Sequence, residues 1–250
     1  MLSAGISFAF GIEKWLYYGL FALFSTLLVY NGQRFIKARE NKQTPWLIWV
    51  NQHTYFLWFL MIVSALIAGV LLLELIQFKI NVLFLLIVAV LISVLYVIRI
   101  GKRNAREIPY LKIHLIAFTW VFVLVLFPIL NENIDFPILW ISMAHYFYVL
   151  GVAIPFDIRD LKYDNPLHKT IPQVLGVFGA KLTSVVLLLT FMAIMLWQFP
   201  MLQTNILFYF SGFIQILLTI MMNEKRSDFY CAVWIDGAIA LLGLSYFFSL

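Results

Sequence analysis

Residues 53–73 read HTYFLWFLMIVSALIAGVLLL, a run with no charged residue and no proline. At 1.5 Å per residue such a run forms a helix of about 30 Å, the thickness of bilayer hydrocarbon. The same measure, carried outward in both directions, finds seven further runs bounded by charge, proline or asparagine, at approximately 15–33, 80–98, 111–130, 137–155, 177–198, 203–222 and 230–249. The opening stretch Met1 to Phe10 is apolar but would rise only ~15 Å as a helix, and it has neither a basic n-region nor a small-residue cleavage site. It reads as the stub of a first span, either a short helix or one that the chain enters part-way, which makes about nine segments. The expected fold class is all-α, a polytopic transmembrane helix bundle, with residues 1–250 forming a single transmembrane domain.

Composition supports this. Apolar and aromatic residues make up 64% of the 250 residues and charged residues 12%, against roughly 45–50% and 25% in an average soluble domain. The polar surface is too small to cover a globule, so the excess apolar surface must face lipid or a large permanent partner. The single cysteine, Cys231, excludes an internal disulfide and a cysteine metal cluster.

The cations sort by side. Arg34, Lys37, Arg39 and Lys42 follow the first full span; Arg99, Lys102, Arg103, Arg106 and Lys112 surround 99–112. Arg159, Lys162, Lys169 and Lys181 fall in 157–181, and Lys225 and Arg226 lie in the turn at 223–228. That places fifteen of seventeen basic residues on one side, with Lys14 and Lys79 opposite. Short cytoplasmic loops are enriched in Lys and Arg, so the basic side is expected to be cytoplasmic, in an inner or plasma membrane.

The segment after the sixth span runs from Pro155 to Gly176. It carries Asp157, Asp160 and Asp164 at i, i+3 and i+7, which on a continuous helix fall within roughly a 60° arc. At about 6 Å and an effective dielectric near 20, each uncompensated pair repels by ~3 kcal/mol, so the arrangement asks for a counter-charge. Arg159 and Lys162 face elsewhere on such a helix. A hard divalent cation with oxygen ligands fits, and Mg²⁺ is usually held by one or two carboxylates plus substrate phosphate oxygens. A juxtamembrane loop of mixed charge is the plain alternative.

The order Asp157-x-x-Asp160-x-x-x-Asp164, then Lys169-Thr170-x-Pro172 and Leu175-Gly176, resembles the second aspartate-rich signature of the UbiA superfamily of intramembrane prenyltransferases. Tyr96-Val-Ile-Arg99-Ile-Gly-Lys102-Arg103, leading into Ile108-Pro109-Tyr110-Leu111-Lys112, is similar to that family's basic loop between its fourth and fifth helices. The likeness covers the chain from about residue 15 to the end. It implies Mg²⁺ held by Asp157, Asp160 and Asp164 as the catalytic set. It also implies an isoprenyl diphosphate held by Asn31, Arg34, Arg39, Tyr96, Lys102, Arg103 and Lys169, with a lipophilic, aromatic acceptor and membrane lipid as the other partners. Nucleic acid is not expected to be a partner.

The chain departs from the family at the end of the second segment. There the first signature, Asn-Asp-x-x-Asp-x-x-x-Asp, is represented only by Asn31; Gly32, Phe35 and Arg39 stand at the aspartate positions. Arg34, Lys37, Arg39 and Lys42 put a basic cluster there instead, and arginine binds phosphate oxygens bidentately without a metal. Two functions stay open. One is prenyl transfer to a lipophilic acceptor; the other is a non-catalytic relative that binds an isoprenoid or quinone lipid or a membrane partner. Asp236 and His145 would suit a small transporter, but the sequence shows neither a repeat nor a pair of broken helices. Asp236 is expected to face the bundle interior. A lone histidine such as His145 is expected to be a hydrogen-bonded interior residue.

Overall fold

A computed structural model describes residues 1–38, 45–100, 103–135, 137–164 and 169–249. The chain is a helical bundle: α1 Leu2–Ala9, α2 Trp15–Lys37, α3 Pro45–Gln52, α4 Thr54–Leu75, α5 Ile80–Leu95, α6 Leu111–Asn131, α7 Ile138–Asp160, α8 Ile171–Gln198, α9 Ile206–Ile220 and α10 Tyr230–Phe248. A two-residue ladder, Arg99–Ile100 against Arg103–Asn104, lies between α5 and α6. Five helices, α4, α6, α7, α8 and α10, are long and apolar enough to cross a membrane. Their outer faces carry large apolar side chains in the open, among them Tyr55 at 92% exposure, Leu73 and Phe178. Exposed apolar side chains on helices of this length are consistent with a lipid-facing surface.

The apolar runs locate the helices, and local chemistry sets their ends. Proline lacks an N–H and crowds the carbonyl four residues before it, so α6 opens into a wide π turn at Phe122–Leu126 just ahead of Pro128. α9 starts at Ile206 and not at 203 because the Asn205 side chain accepts from the Phe208 N–H. In α8 the backbone breaks at Gly176, with φ 70° and ψ 172°. A short leg, 171–175, therefore precedes the apolar run that begins at 177. The short helix α3 falls in a stretch that periodicity leaves as loop.

The main core forms around α7, whose Ala144, Ile154 and Ile158 are fully buried against Ala117 of α6, Ala180 and Leu188 of α8 and Phe208 of α9. A second cluster joins α2, α4 and α5 through Tyr18, Leu71, Leu75 and Val82, closing on Phe127. The short helix α1 packs between α2 and α10. A Cβ on Gly5 would come within 2.0 Å of the Gly243 carbonyl oxygen, so the two backbones touch where only glycine fits.

The loops gather at two ends. At one end Tyr18 donates to Glu132 at 2.6 Å, and Asn131 donates to the Tyr18 hydroxyl and the Leu75 carbonyl. Asn131 also accepts from the Gln77 N–H, while Lys79 donates to the Asn131 carbonyl. At the other end lie the start of α6, the end of α7 and the α9–α10 turn, which form the site.

Candidate functional site

The site begins with a defect in α7. Pro155 has no N–H to offer the Gly151 carbonyl, which in a dry interior must find another donor. Ser184 of α8 supplies it, with Oγ 2.6 Å from the Gly151 oxygen and fully buried. α7 then runs to Asp160, where the N–H groups of Tyr163 and Asp164 both bond the Asp160 carbonyl and close a last turn. Asp157 and Asp160 therefore stand on the last helical turns, and Asp164 stands in the turn beyond the helix.

This separates the three carboxylates. Asp157, only 4% exposed, receives the Lys112 ammonium at 2.7 Å, and the same ammonium reaches Asp164 at 3.1 Å. Asp160 is taken by its neighbour: Arg159 Nε lies 2.7 Å from it, and Arg159 Nη1 lies 3.3 Å from Asp228 in the α9–α10 turn. Side-chain wrapping thus brings Arg159 to Asp160, although helical spacing faces it away. The counter-charge that the carboxylates require comes from Lys112 and Arg159.

Lys112 is the residue that the spacing argument missed. It is the second residue of α6, where a cation opposes the helix dipole, a placement that costs up to about 1 kcal/mol unless an anion compensates. That misfit is the trace it leaves in the sequence. Tyr110, the N-cap just before, holds φ at 66°, a left-handed conformation that bends the chain into the helix beside the aspartates.

Around this pair stand further expected residues. The buried Tyr96 lies within electrostatic reach of Lys112 and of all three aspartates. Arg106 lies within reach of Asp164 and Asp160, and its burial lowers its guanidinium from the ordinary arginine value. Arg34 stacks on Tyr30, 3.8 Å from the ring centroid, in the field of Arg159 and Asp228. The structure therefore draws Arg34 to the Asp160 half of the site. Asn31 is buried and donates to the Leu27 carbonyl of its own helix at 2.7 Å, not to an aspartate. Lys169 is exposed with φ at 47°, in the return to α8. Arg39 and Lys102 lie outside the described residues, and of Arg103 only the backbone is described, paired with Ile100.

Two intramembrane residues complete the picture. Asp236, expected to face inward, is exposed where α10 leaves a wide π turn, with the charges of Arg159 and Arg34 acting on it. His145 is the bonded interior residue expected of it: Nδ1 donates to the Ile141 carbonyl at 2.9 Å, which leaves Nε2 to accept from Tyr246 at 3.1 Å.

Among the described residues no three carboxylate, histidine or cysteine groups come together as a metal cage. Two carboxylates, Asp157 and Asp164, do present oxygens to one point, the Lys112 ammonium. Two carboxylates are what Mg²⁺ ordinarily takes from a protein before substrate phosphates complete its shell, so Asp157 and Asp164 fit that ion. Comparison of the chain with family models, with curated proteins and with solved structures gives no match.

Proposed function

We propose that this chain is a UbiA-like prenyltransferase that moves a prenyl group from an isoprenyl diphosphate to a lipophilic acceptor. What supports the reading above all is the convergence of Asp157, Asp164 and Lys112 at one end of the bundle. Asp160, Arg159, Tyr96 and Arg106 stand within electrostatic or bonding reach. In this reading α1, α2, α5 and α9 join the five long helices to make nine spans. The aspartate end faces the cytoplasm, by the rule that short cytoplasmic loops are rich in Lys and Arg.

Asp157 and Asp164 would hold Mg²⁺, which when bound draws charge from the departing diphosphate. Arg34 and Arg106, with Lys102, Arg103 and Arg39 from the basic loops, hold the phosphate oxygens and set the leaving group toward them. The apolar helices around this end would keep water from the allylic carbon until the acceptor attacks.

The second reading, a non-catalytic relative that binds an isoprenoid lipid, is favoured by the residues at 32, 35 and 39, none of which is an aspartate. One experiment separates the two. Purified protein incubated with labelled polyprenyl diphosphate and Mg²⁺ is expected to release diphosphate, and release should stop in Asp157→Asn. Binding of the lipid without release would give the second reading the lead.

A further inference from the structure

We propose that the turn between α9 and α10 binds the phosphate group of an anionic phospholipid, held by Lys225 and Arg226 with the lipid body laid along Phe229 and Trp234. None of these residues belongs to the aspartate site, so the proposal does not depend on prenyl transfer.

Lys225, Arg226, Phe229, Tyr230 and Trp234 line an open cavity of about 380 Å³ at this turn, and no acid is among its walls. The wide π turn that opens α10, Tyr230–Ile235, shapes it. An ordinary helix would set Phe229 and Trp234 about 140° apart, whereas bonds from i to i+5 bring residues five apart nearly into register. Both rings are more than half exposed at the start of a helix long and apolar enough to cross a membrane. Aromatic rings beside a cationic turn at the end of a span suit the headgroup layer, where one side is apolar and the other wet.

Arg226 is held ready for an anion. Its Nε donates to the Met221 carbonyl at 3.3 Å, its guanidinium carbon lies 4.7 Å from the Tyr230 ring centroid, and the Tyr230 hydroxyl is itself fixed on the Leu218 carbonyl at 2.8 Å. These contacts use one N–H and orient the plane of the fork. Among the described residues neither terminal nitrogen of Arg226 nor the Lys225 ammonium has a partner, so both cations can turn to phosphate oxygens. The acids nearby do not cancel this charge. Asp160 and Asp228 pair with Arg159, and Asp236 lies in the field of Arg159 and Arg34. Glu224 is set against Lys225, Arg226 and Lys181, whose ammonium donates to the Ile220 carbonyl, so the balance is one positive charge with every one of these acids counted. A free phosphate would meet the same cations; the exposed Phe229 and Trp234 select the form that carries an apolar body.

Trp234 is one of eight tryptophans, and its share of the fluorescence is isolated by subtracting the Trp234→Phe protein. Full-length protein in detergent is titrated with dibrominated phosphatidylglycerol, whose bromines quench an indole they touch, and separately with dibrominated phosphatidylcholine. The Trp234 share is expected to be half-quenched at a concentration at least ten-fold lower for the anionic lipid; equal concentrations overturn the proposal. Lys225→Gln removes an exposed charge and should weaken phosphatidylglycerol at least three-fold while leaving phosphatidylcholine unchanged. Arg226→Gln should do the same more strongly, and a preference that survives in both variants overturns the proposal. Inorganic phosphate at the concentration of the lipid should leave the quenching as it is. Displacement there would reveal a soluble-anion site and overturn the lipid assignment.

Discussion

Ser184 shows how much of this site hangs on single buried hydroxyls. Its bond to the Gly151 carbonyl repairs the gap left by Pro155 and fixes α8 to the helix that carries Asp157 and Asp160. Ser184→Ala strands a buried carbonyl and is expected to lower stability by about 1–3 kcal/mol. Ser64→Ala is the control, since the Ser64 hydroxyl is buried without a partner among the described residues, and its loss should be neutral or stabilising. Thermal unfolding of both variants in the same detergent checks the pair. At this scale the sequence was only half legible. The three aspartates stood out because their spacing is local, whereas Lys112 meets them across a chain separation of 52 residues in the case of Asp164. Helical spacing describes neighbours along one helix and is silent on a partner from another. It also placed Arg159 away from Asp160, because it fixes Cα directions and not where a long flexible side chain ends.

Among the elements, α8 illustrates a boundary that a single residue imposes. Gly176 lies in a region of backbone space that is nearly glycine's alone, and a Cβ there would meet nothing within 4 Å. Gly176→Ala is therefore expected to cost about 1–3 kcal/mol through the backbone alone. Gly176→Ser should cost the same, because neither side chain meets a wall. Equal losses in the two unfolding midpoints check this; a larger loss in the serine variant would mean that space is limiting after all. The five long apolar helices were legible, since length and hydropathy are what a bilayer selects, and the apolar run of α8 begins where this break ends. The wide turns in α6 and α10 were not. The one in α6 arises where Pro128 disturbs the hydrogen-bond ladder, and a hydropathy window averages over both. The short helix α3 carries no span-length signal, and its buried Val50 packs on Ala38 and Leu57.

For the whole molecule, topology is the first quantity to test. Cys231 is buried and supplies no background to thiol reagents. Single cysteines at the exposed positions Asp135 and Lys225 are therefore clean reporters of the two ends. In sealed inside-out vesicles of the host membrane Lys225→Cys is expected to label with an impermeant maleimide and Asp135→Cys is not. Labelling of both would place the two ends on one side and end the nine-span reading. The division into two ends was legible from the cations alone, because each loop inherits its side from the parity of spans before it. The way each end is fastened was not, since it depends on which side chains meet across the bundle.

The two fastenings differ in kind. The end around Asn131 is joined by short hydrogen bonds, several of them to backbone carbonyls, while the end around Asp157 is joined by ion pairs through Lys112 and Arg159. Mobile ions weaken exposed charge pairs most, buried pairs much less and neutral hydrogen bonds least, so the pair of Arg159 with the exposed Asp228 is the contact that salt reaches first. Ionic strength thus acts as a one-sided lever, loosening the molecule like a clothes-peg pressed at its legs. Amide hydrogen exchange in 223–229, held through Asp228, is expected to quicken as salt is raised, while residues 14–18 and 128–132 keep their rates. The bundle then breathes from the end that is fastened by ion pairs, with the opposite end as its spring.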